Sequence, residues 1–593
     1  MAERRDTLKE NIFVNLPQEE KQKIFNQIEN WQHSIRTTRE IFAFCLVLAE
    51  FGIYDGRIEK YLLVAEAQQD RNPGSATYGN FTWYIDSGKI VDLNSVEFCL
   101  REGLLLWLRH RNKLNEKTRD VLEGLLRYGI NSVLNRKVRV RYTNIHLIKT
   151  WNMIAYGENF KNKEIEKQGY EMLDEWLLYT RKNGIREYSS PNYYHNDITA
   201  LGLIYNYTGN MEVKRKSEMG LKLFWTDIAL NFFKPAARIG GSRSRDYDYI
   251  YGRNGINRVL AHYGWIQKTD VSVFDYLIAL SEWYPPEEIK DLNSLQPRFI
   301  ERKIGKDKGE WACHYAGKGF SIGCCGFCYS PLDKPLVFLF TSDTLPNGYV
   351  VFDARNDPYA EKPEKQPWAG FEHEVCLHLV PFITANQNRE EIVMYSTIKA
   401  DDPSIPRLAP DVKGFFTHFV FPACEIFLDG EKIELKNRES ITLTINQVLI
   451  VRYQSAAIGI RIFYATDLYG KNPEIYLIDD GNKYNVLRLT VVHSDRKMET
   501  GTGEIGFYIV GKDDIDSSKI RSFCNEIRCI RFDVKKREDV MEISKDSTMI
   551  LKFNPEKWER MIDRDVQCIL SVNGNDIGGK ILEGMDRRKD EKN

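Results

Sequence analysis

The sequence has no long apolar run, and that bounds it first. Its longest stretch of apolar residues, Ile41 to Ala49, falls far short of the ~18 residues of a membrane-spanning helix. It has no surplus of charge either: 83 basic against 84 acidic residues leave a net charge of −1, so no global field draws nucleic acid or an anionic membrane. The opening residues, Met1-Ala2-Glu3-Arg4-Arg5-Asp6, lead into a polar helical stretch without an apolar signal core. That predicts a cytoplasmic protein, or a secreted one if a signal has been removed. A disulfide framework is lacking. The eleven cysteines, an odd number, stand mostly alone in settings such as Phe44-Cys45-Leu46 and Phe98-Cys99-Leu100 and read as reduced core thiols. No phosphate-binding Gly-Lys loop, no dinucleotide fingerprint in a strand–helix context and no short repeat is present.

What is there divides in two. At 593 residues the chain is too long for one core. From about residue 18 to 295 the apolar period is helical, with stripes at 41–51, 56–68, 98–108, 118–134, 143–156, 164–181, 196–208, 212–232, 254–265 and 272–283. Thr37-Thr38-Arg39-Glu40 reads as a capping box, and Asn94-Ser95-Val96-Glu97 as a similar start. Short polar connections predict antiparallel hairpins, and ten to twelve such helices exceed a simple bundle. Hairpins closed into a ring, an (α/α) toroid, fit this count over residues 1–300. Beyond a charged stretch near Pro297–Lys308 the period changes to short β-branched and aromatic runs. They lie at 319–325, 336–341, 348–354, 375–380, 391–397, 414–421, 440–445, 448–453, 459–464, 486–492 and 505–510, with no clear helices between them. Residues 301–593 are therefore expected to form an antiparallel β-sandwich domain ending in a charged, frayed tail at 586–593.

Two polar clusters punctuate the helices. One is Glu187-Tyr188-Ser189-Ser190-Pro191-Asn192-Tyr193-Tyr194-His195-Asn196-Asp197; the other is Gly240-Gly241-Ser242-Arg243-Ser244-Arg245-Asp246-Tyr247-Asp248-Tyr249-Ile250-Tyr251. Pro, Gly and Ser keep both out of regular helix, and such loops carry function more often than cores do. A third segment places Tyr78, Trp83 and Tyr84 where rings stack on sugars or fill a core.

A helical toroid followed by an antiparallel β-domain resembles the layout of polysaccharide lyases acting on uronic-acid polymers, such as alginate, heparin and glucuronan lyases. The resemblance covers the whole chain in layout and three short segments in residues. It implies an Asn, a His and an Arg followed by a Tyr as the catalytic set, here Asn144, His195, Arg243 and Tyr249. Arg245 and Tyr251 repeat the Arg-x5-Tyr spacing two residues on, which leaves the register of the pair open. Asn192, Tyr194, Arg245, Tyr251, Tyr78 and Trp83 are the candidate substrate contacts. Removing a proton alpha to a carboxylate requires that carboxylate to be neutralised, which an amide and a guanidinium do. A phenol or an imidazole then moves the protons. The implied partner is an acidic oligo- or polysaccharide, with no nucleic acid, membrane or cofactor required; a cytosolic enzyme would take oligosaccharides.

Each residue also has a plainer reading. Asn144 can cap a helix, Arg243 and Arg245 can pair with Asp246 and Asp248, and the alternating tyrosines at 247–251 can pack on the sheets. Glu187, Asp197, Asp246 and Asp248 are available for a glycoside hydrolase, which needs two facing carboxylates. A uronate epimerase, or a non-catalytic glycan- or protein-binding protein, are further alternatives. Cys324-Cys325-Gly326-Phe327-Cys328 with Cys313 and His314 is expected to be buried thiols, a structural metal staying open. His373 and His378 flank a strand on opposite faces. Gly319-Phe320-Ser321-Ile322-Gly323 matches a nucleophile elbow in letters but lacks the helix an elbow needs.

Overall fold

The computed structural model describes residues 11–583, apart from 14, 269 and 366–373. Helical hairpins come first: α1 (Gln18–Trp31), α2 (Thr38–Glu50), α3 (Gly56–Ala67), α4 (Ser95–His110), α5 (Glu116–Asn135), α6 (Thr143–Asn159), α7 (Lys163–Asn183), α8 (Tyr194–Tyr207) and α9 (Met211–Asn231). The shorter α10 (Asn254–His262), α11 (Tyr276–Leu280) and α12 (Glu287–Asp291) complete the helical half. The long helices are of two kinds. α2, α4, α6 and α8 are buried almost all round, and each packs on the next. α3, α5 and α7 bury a single stripe and lie outside them. Gln27 of α1 closes the ring, its Nε2 donating to the Val271 carbonyl (3.0 Å) while its Oε1 accepts from the Val273 N–H (2.7 Å). Trp31 and Phe274 meet at the same closure, ring centres 4.9 Å apart.

The inner helices all start at one end of the ring. Thr37 caps α2 through the expected box: its hydroxyl accepts from the Glu40 N–H, and the Glu40 carboxylate accepts from the Thr37 N–H. At α4 the expected box does not form. Glu97 accepts from Arg136 (2.9 Å), and Asn94 accepts from Arg136 and donates to the Tyr142 hydroxyl (3.4 Å), so both side chains are spent on the next hairpin.

Antiparallel sheets follow. Among the described residues an eleven-stranded sheet runs Ser440–Leu443, Glu474–Ile478, Val486–Ser494, Phe415–Pro422, Gly348–Asp353, Leu336–Phe340, Phe320–Cys325, Trp311–Ala316, Arg298–Lys303, Ser571–Val572, Asn575–Asp576. A seven-stranded sheet built around Ala456–Thr466 and Thr502–Lys512 faces it, and a four-stranded sheet spanning Phe532–Ile562 adds a further layer. Strand parity assigns the cores. Leu336, Phe338 and Phe340 point into the core between the two large sheets, while Val337 and Leu339 point to the opposite face, where Phe233, Tyr249 and Ile250 cover them. The segment joining helices to sheets is thus packed on the large sheet.

The β half departs from expectation in places. A helix at Ile520–Cys529 lies among the strands, and of 375–380 only Val375, in the short strand Glu374–Val375, pairs. Strands at Arg298–Lys303, Trp311–Ala316 and Phe382–Asn388 are additional. Ser321 lies within a buried strand with no helix after it, so no nucleophile elbow exists there. All eleven cysteines are free thiols, eight of them buried. Cys313 and His314 are strand neighbours facing opposite sides, His314 meeting Asn231 (3.2 Å) in the helical half. Among the described residues no three His, Cys, Asp or Glu side chains converge as a metal site, and no helix is long and apolar enough to cross a membrane. His378 hydrogen-bonds the Asp357 carbonyl (3.0 Å), whereas His373 and the 586–593 tail lie outside the described residues.

Candidate active site

The site forms where the first turns of α6 and α8 meet the segment 242–251. Asn144, at the start of α6, is buried, and its N–H donates to the Glu187 carboxylate (2.9 Å). Glu187 precedes the tight segment that leads into α8, where Ser190 accepts from the Tyr193 N–H (3.2 Å). Burial pushes the Glu187 carboxyl up to about 7, against the pull of Arg245 and the Asn144 N–H. Asp197, one turn into α8, is fully buried with neither oxygen hydrogen-bonded, and burial plus the Glu187 charge hold it well above the usual carboxylate range.

Arg245 comes from the other side. Its N–H donates to Asp333 (3.0 Å), and the adjoining Arg243 and Lys334 exchange backbone hydrogen bonds of 3.1 and 2.8 Å, so the segment is pinned to the edge of the strand at 336–340. The guanidinium carbon of Arg245 stands 5.0 Å from the Tyr193 ring centre and 5.8 Å from that of Tyr142. The hydroxyls of Tyr193 and Tyr247 are 3.1 Å apart, and Tyr247 is 39% exposed, which puts this pair at the mouth. Burial holds the Tyr193 phenol well above its ordinary range, so it is protonated at neutral pH.

His195 stands on the neighbouring side of the α8 start. Its Nδ1 is sealed without a hydrogen-bond partner against Gly255 of α10, where an added Cβ would lie 2.3 Å away. Burial, then the guanidiniums of Arg101, Arg39 and Arg258, drives the ring down to about 3, so it is neutral at pH 7.

The structure therefore brings Asn144 and Arg245 together around Glu187 and sets His195 beside them at the start of α8; Asn192 lies in the turn before α8, its side-chain oxygen buried without a hydrogen-bond partner. It does not bring Arg243 or Tyr249 to the mouth. Arg243 is wholly buried, donating to the Ile239 carbonyl (2.8 Å) and paired with Asp246 (3.4 Å). Tyr249 packs on His378 and Tyr349 of the sheet side, its hydroxyl 3.4 Å from the Pro331 carbonyl. Tyr194 points inward and donates to Asp227 (2.7 Å). Tyr251 lies against Arg253 and Arg238, and Tyr78 edges onto Tyr128 of the outer helix α5. Trp83 is half-buried, edge-on to Phe98 (5.7 Å) at the start of α4. Residues that spacing did not single out, Tyr142, Tyr193 and Tyr247, surround Arg245. The signal for Tyr193 was available: α8 begins at Tyr194, which turns inward and leaves its predecessor on the outside.

A family model described as a domain of unknown function (DUF8769) matches residues 64–267. No curated protein matches the chain. Similar solved structures include heparinase III, at 11% identity and TM-score 0.36, covering 93% of this chain and 90% of that one. Another is the Streptomyces coelicolor A3 chondroitin AC lyase in complex with chondroitin sulphate, at 8% identity and TM-score 0.42, covering 89% and 81%. A third is the Clostridium thermocellum endoglucanase CelQ complexed with cellotetraose, at 10% identity and TM-score 0.24, covering 89% and 76%.

Proposed function

We propose that this protein is a lyase that cleaves uronate-containing glycans by β-elimination. One observation carries the reading: a guanidinium boxed by two tyrosine rings, with a tyrosine hydroxyl pair at the mouth, where the inner helices start. In this reading Arg245 and Asn144 neutralise the uronate carboxylate, which lowers the cost of removing the proton at C5. His195 takes that proton: burial and the Arg101, Arg39 and Arg258 charges hold its ring neutral before substrate binds, and the negative charge of the substrate favours the imidazolium that forms. The Tyr193–Tyr247 pair gives a proton to the oxygen at C4. The C5–H and C4–O bonds break, and a C4=C5 double bond forms.

Two further features support an acidic substrate. The first turns of the inner helices gather partial positive charge at this end. Lys137, Arg139 and Arg141, on the segment leading to Tyr142, are exposed, and no carboxylate pairs with them among the described residues. The hydrolase alternative is disfavoured because its carboxylates face inward. Glu187 and Asp197 are buried, Asp246 is paired with Arg243, and Asp248 accepts from the Tyr251 and Arg253 N–H groups.

The test is the absorbance of the conjugated unsaturated uronate, with glucuronan, alginate, pectate and glycosaminoglycan oligosaccharides as substrates. Tyr247→Phe and Arg245→Gln are expected to lose on the order of 100-fold or more in kcat, while Tyr249→Phe, outside the mouth, stays near wild type. New reducing ends without absorbance mean hydrolysis. Inverted C5 without cleavage means epimerisation, and binding without any product means a glycan-binding protein.

A further inference from the structure

Three guanidiniums act electrostatically on His195, those of Arg101, Arg39 and Arg258, and their pairing differs. Arg101 is buried and bonded to Glu102 through two nitrogens (2.7 and 3.2 Å), with a third donating to Asn196 (3.0 Å). Arg258 is paired with Asp275 (2.6 Å). Arg39, in the first turn of α2, is half-buried and has no carboxylate or other hydrogen-bonding partner among the described residues. Its guanidinium carbon lies 4.8 Å from the centre of the Phe98 ring, on which Arg101 also stands (5.3 Å) and which Trp83 meets edge-on. Trp83 is fixed there because its carbonyl accepts from the Thr38 N–H (3.0 Å).

This neighbourhood has features of a second sugar subsite. Aromatic edges and faces give a sugar ring apolar contact. An uncompensated guanidinium gives an oxyanion paired donors in a fixed fork. Arg39 is tied to the start of α8 through the Phe98 ring it shares with Arg101, which donates to Asn196 next to His195, and its charge acts on the His195 ring. We propose that Arg39, held on the buried Phe98 ring beside the half-buried Trp83, receives an anionic substituent, a sulfate or a carboxylate, on the sugar next to the one that reacts. The proposal rests on the lyase reading for its orientation but not for the existence of the anion subsite.

The test compares matched oligosaccharides: a glycosaminoglycan hexasaccharide with and without sulfate on the neighbouring sugar, and an oligoglucuronate in which every sugar carries a carboxylate. Binding and kcat/KM are measured for wild type, Arg39→Gln and Arg39→Lys, with melting temperature as the fold control. Wild type is expected to favour the charged partner tenfold or more, and Arg39→Gln to collapse that ratio while Arg39→Lys keeps part of it. Whether the sulfated hexamer or the oligoglucuronate shows the larger Arg39 dependence identifies the anion. An unchanged ratio in Arg39→Gln overturns the proposal, as does wild type that does not distinguish the partners. Charge-dependent binding that needs Arg39 but gives no product keeps the subsite and sinks the lyase reading. Neither binding nor product removes both.

Discussion

Glu187 and Asp197 show how a single ionisation shapes this site. Two carboxyls in a dry pocket cannot both ionise cheaply, so each raises the cost of ionising the other. The folded Glu187 group titrates at about 7, above its unfolded value. Its contribution to stability is therefore fully present below about pH 4 and is lost as pH rises through 7, where the buried charge costs about 1–3 kcal/mol. Glu187→Gln keeps an acceptor for the Asn144 N–H and removes the buried charge. It is expected to be more stable than wild type in urea at pH 8, with the gap closing by pH 5. An equal loss at both pH values would show that contact with Arg245 outweighs the buried charge. The same scale explains why the register of the Arg–Tyr pair was not legible in the sequence. Arg245 has φ of +47°, a left-handed residue that reverses the direction of the loop, and Asp248 caps the turn after it. Spacing counted along an extended strand fails across such a residue. The helix starts that carry Asn144 and His195 were legible, because the apolar period discloses them.

Among elements, α6 and α7, the inner–outer pair that carries Asn144, approach each other closely over two glycines. A Cβ on Gly157 would lie 2.4 Å from the Glu166 backbone nitrogen, and one on Gly169 2.9 Å from that of Ile154. Backbone on backbone cannot yield as a side chain does. Gly157→Ala is expected to cost about 2–3 kcal/mol in chemical denaturation, more than a helix propensity gain of ~1 kcal/mol returns. A neutral or stabilising result would mean that the two helices can slide apart. The helices themselves were legible because outer ones show an apolar stripe and inner ones a dense apolar run. The strands at Arg298–Lys303 and Trp311–Ala316 were not. Both are covered on both faces, so they lack alternation, and the first carries Arg298, Glu301, Arg302 and Lys303, which read as a charged linker. Those charges are tertiary contacts, which local pattern does not reveal.

At the scale of the molecule, that strand is the hinge between the halves and keeps the site assembled. Arg298 donates to the carbonyls of Leu230 (2.7 Å), in the last turn of α9, and Phe232 (2.6 Å), just past its end. Arg302 grips both oxygens of Asp227 (2.7 and 2.9 Å) and donates to Ser189 (2.8 Å), in the loop that leads to Tyr193. The last helix, Gly578–Leu582, returns to pack on α7 and α9. Helical and sheet halves each have a large core of their own. What couples them is this polar seam together with the 232–251 segment laid on the sheet. Asp227→Asn leaves the Arg302 guanidinium buried with half its compensation gone, which costs about 3–5 kcal/mol. Because the loss falls on the seam rather than on either core, calorimetry is expected to show a single wild-type transition resolving into two, with turnover falling as Arg245 loses its register against Tyr193. Replacing both partners, Asp227→Leu with Arg302→Met, removes the stranded charge and is expected to restore part of the stability. If the double variant is no more stable than Asp227→Asn, the seam is held by hydrogen-bond geometry to Ser189 and Tyr194, and the ion pair is incidental to the coupling.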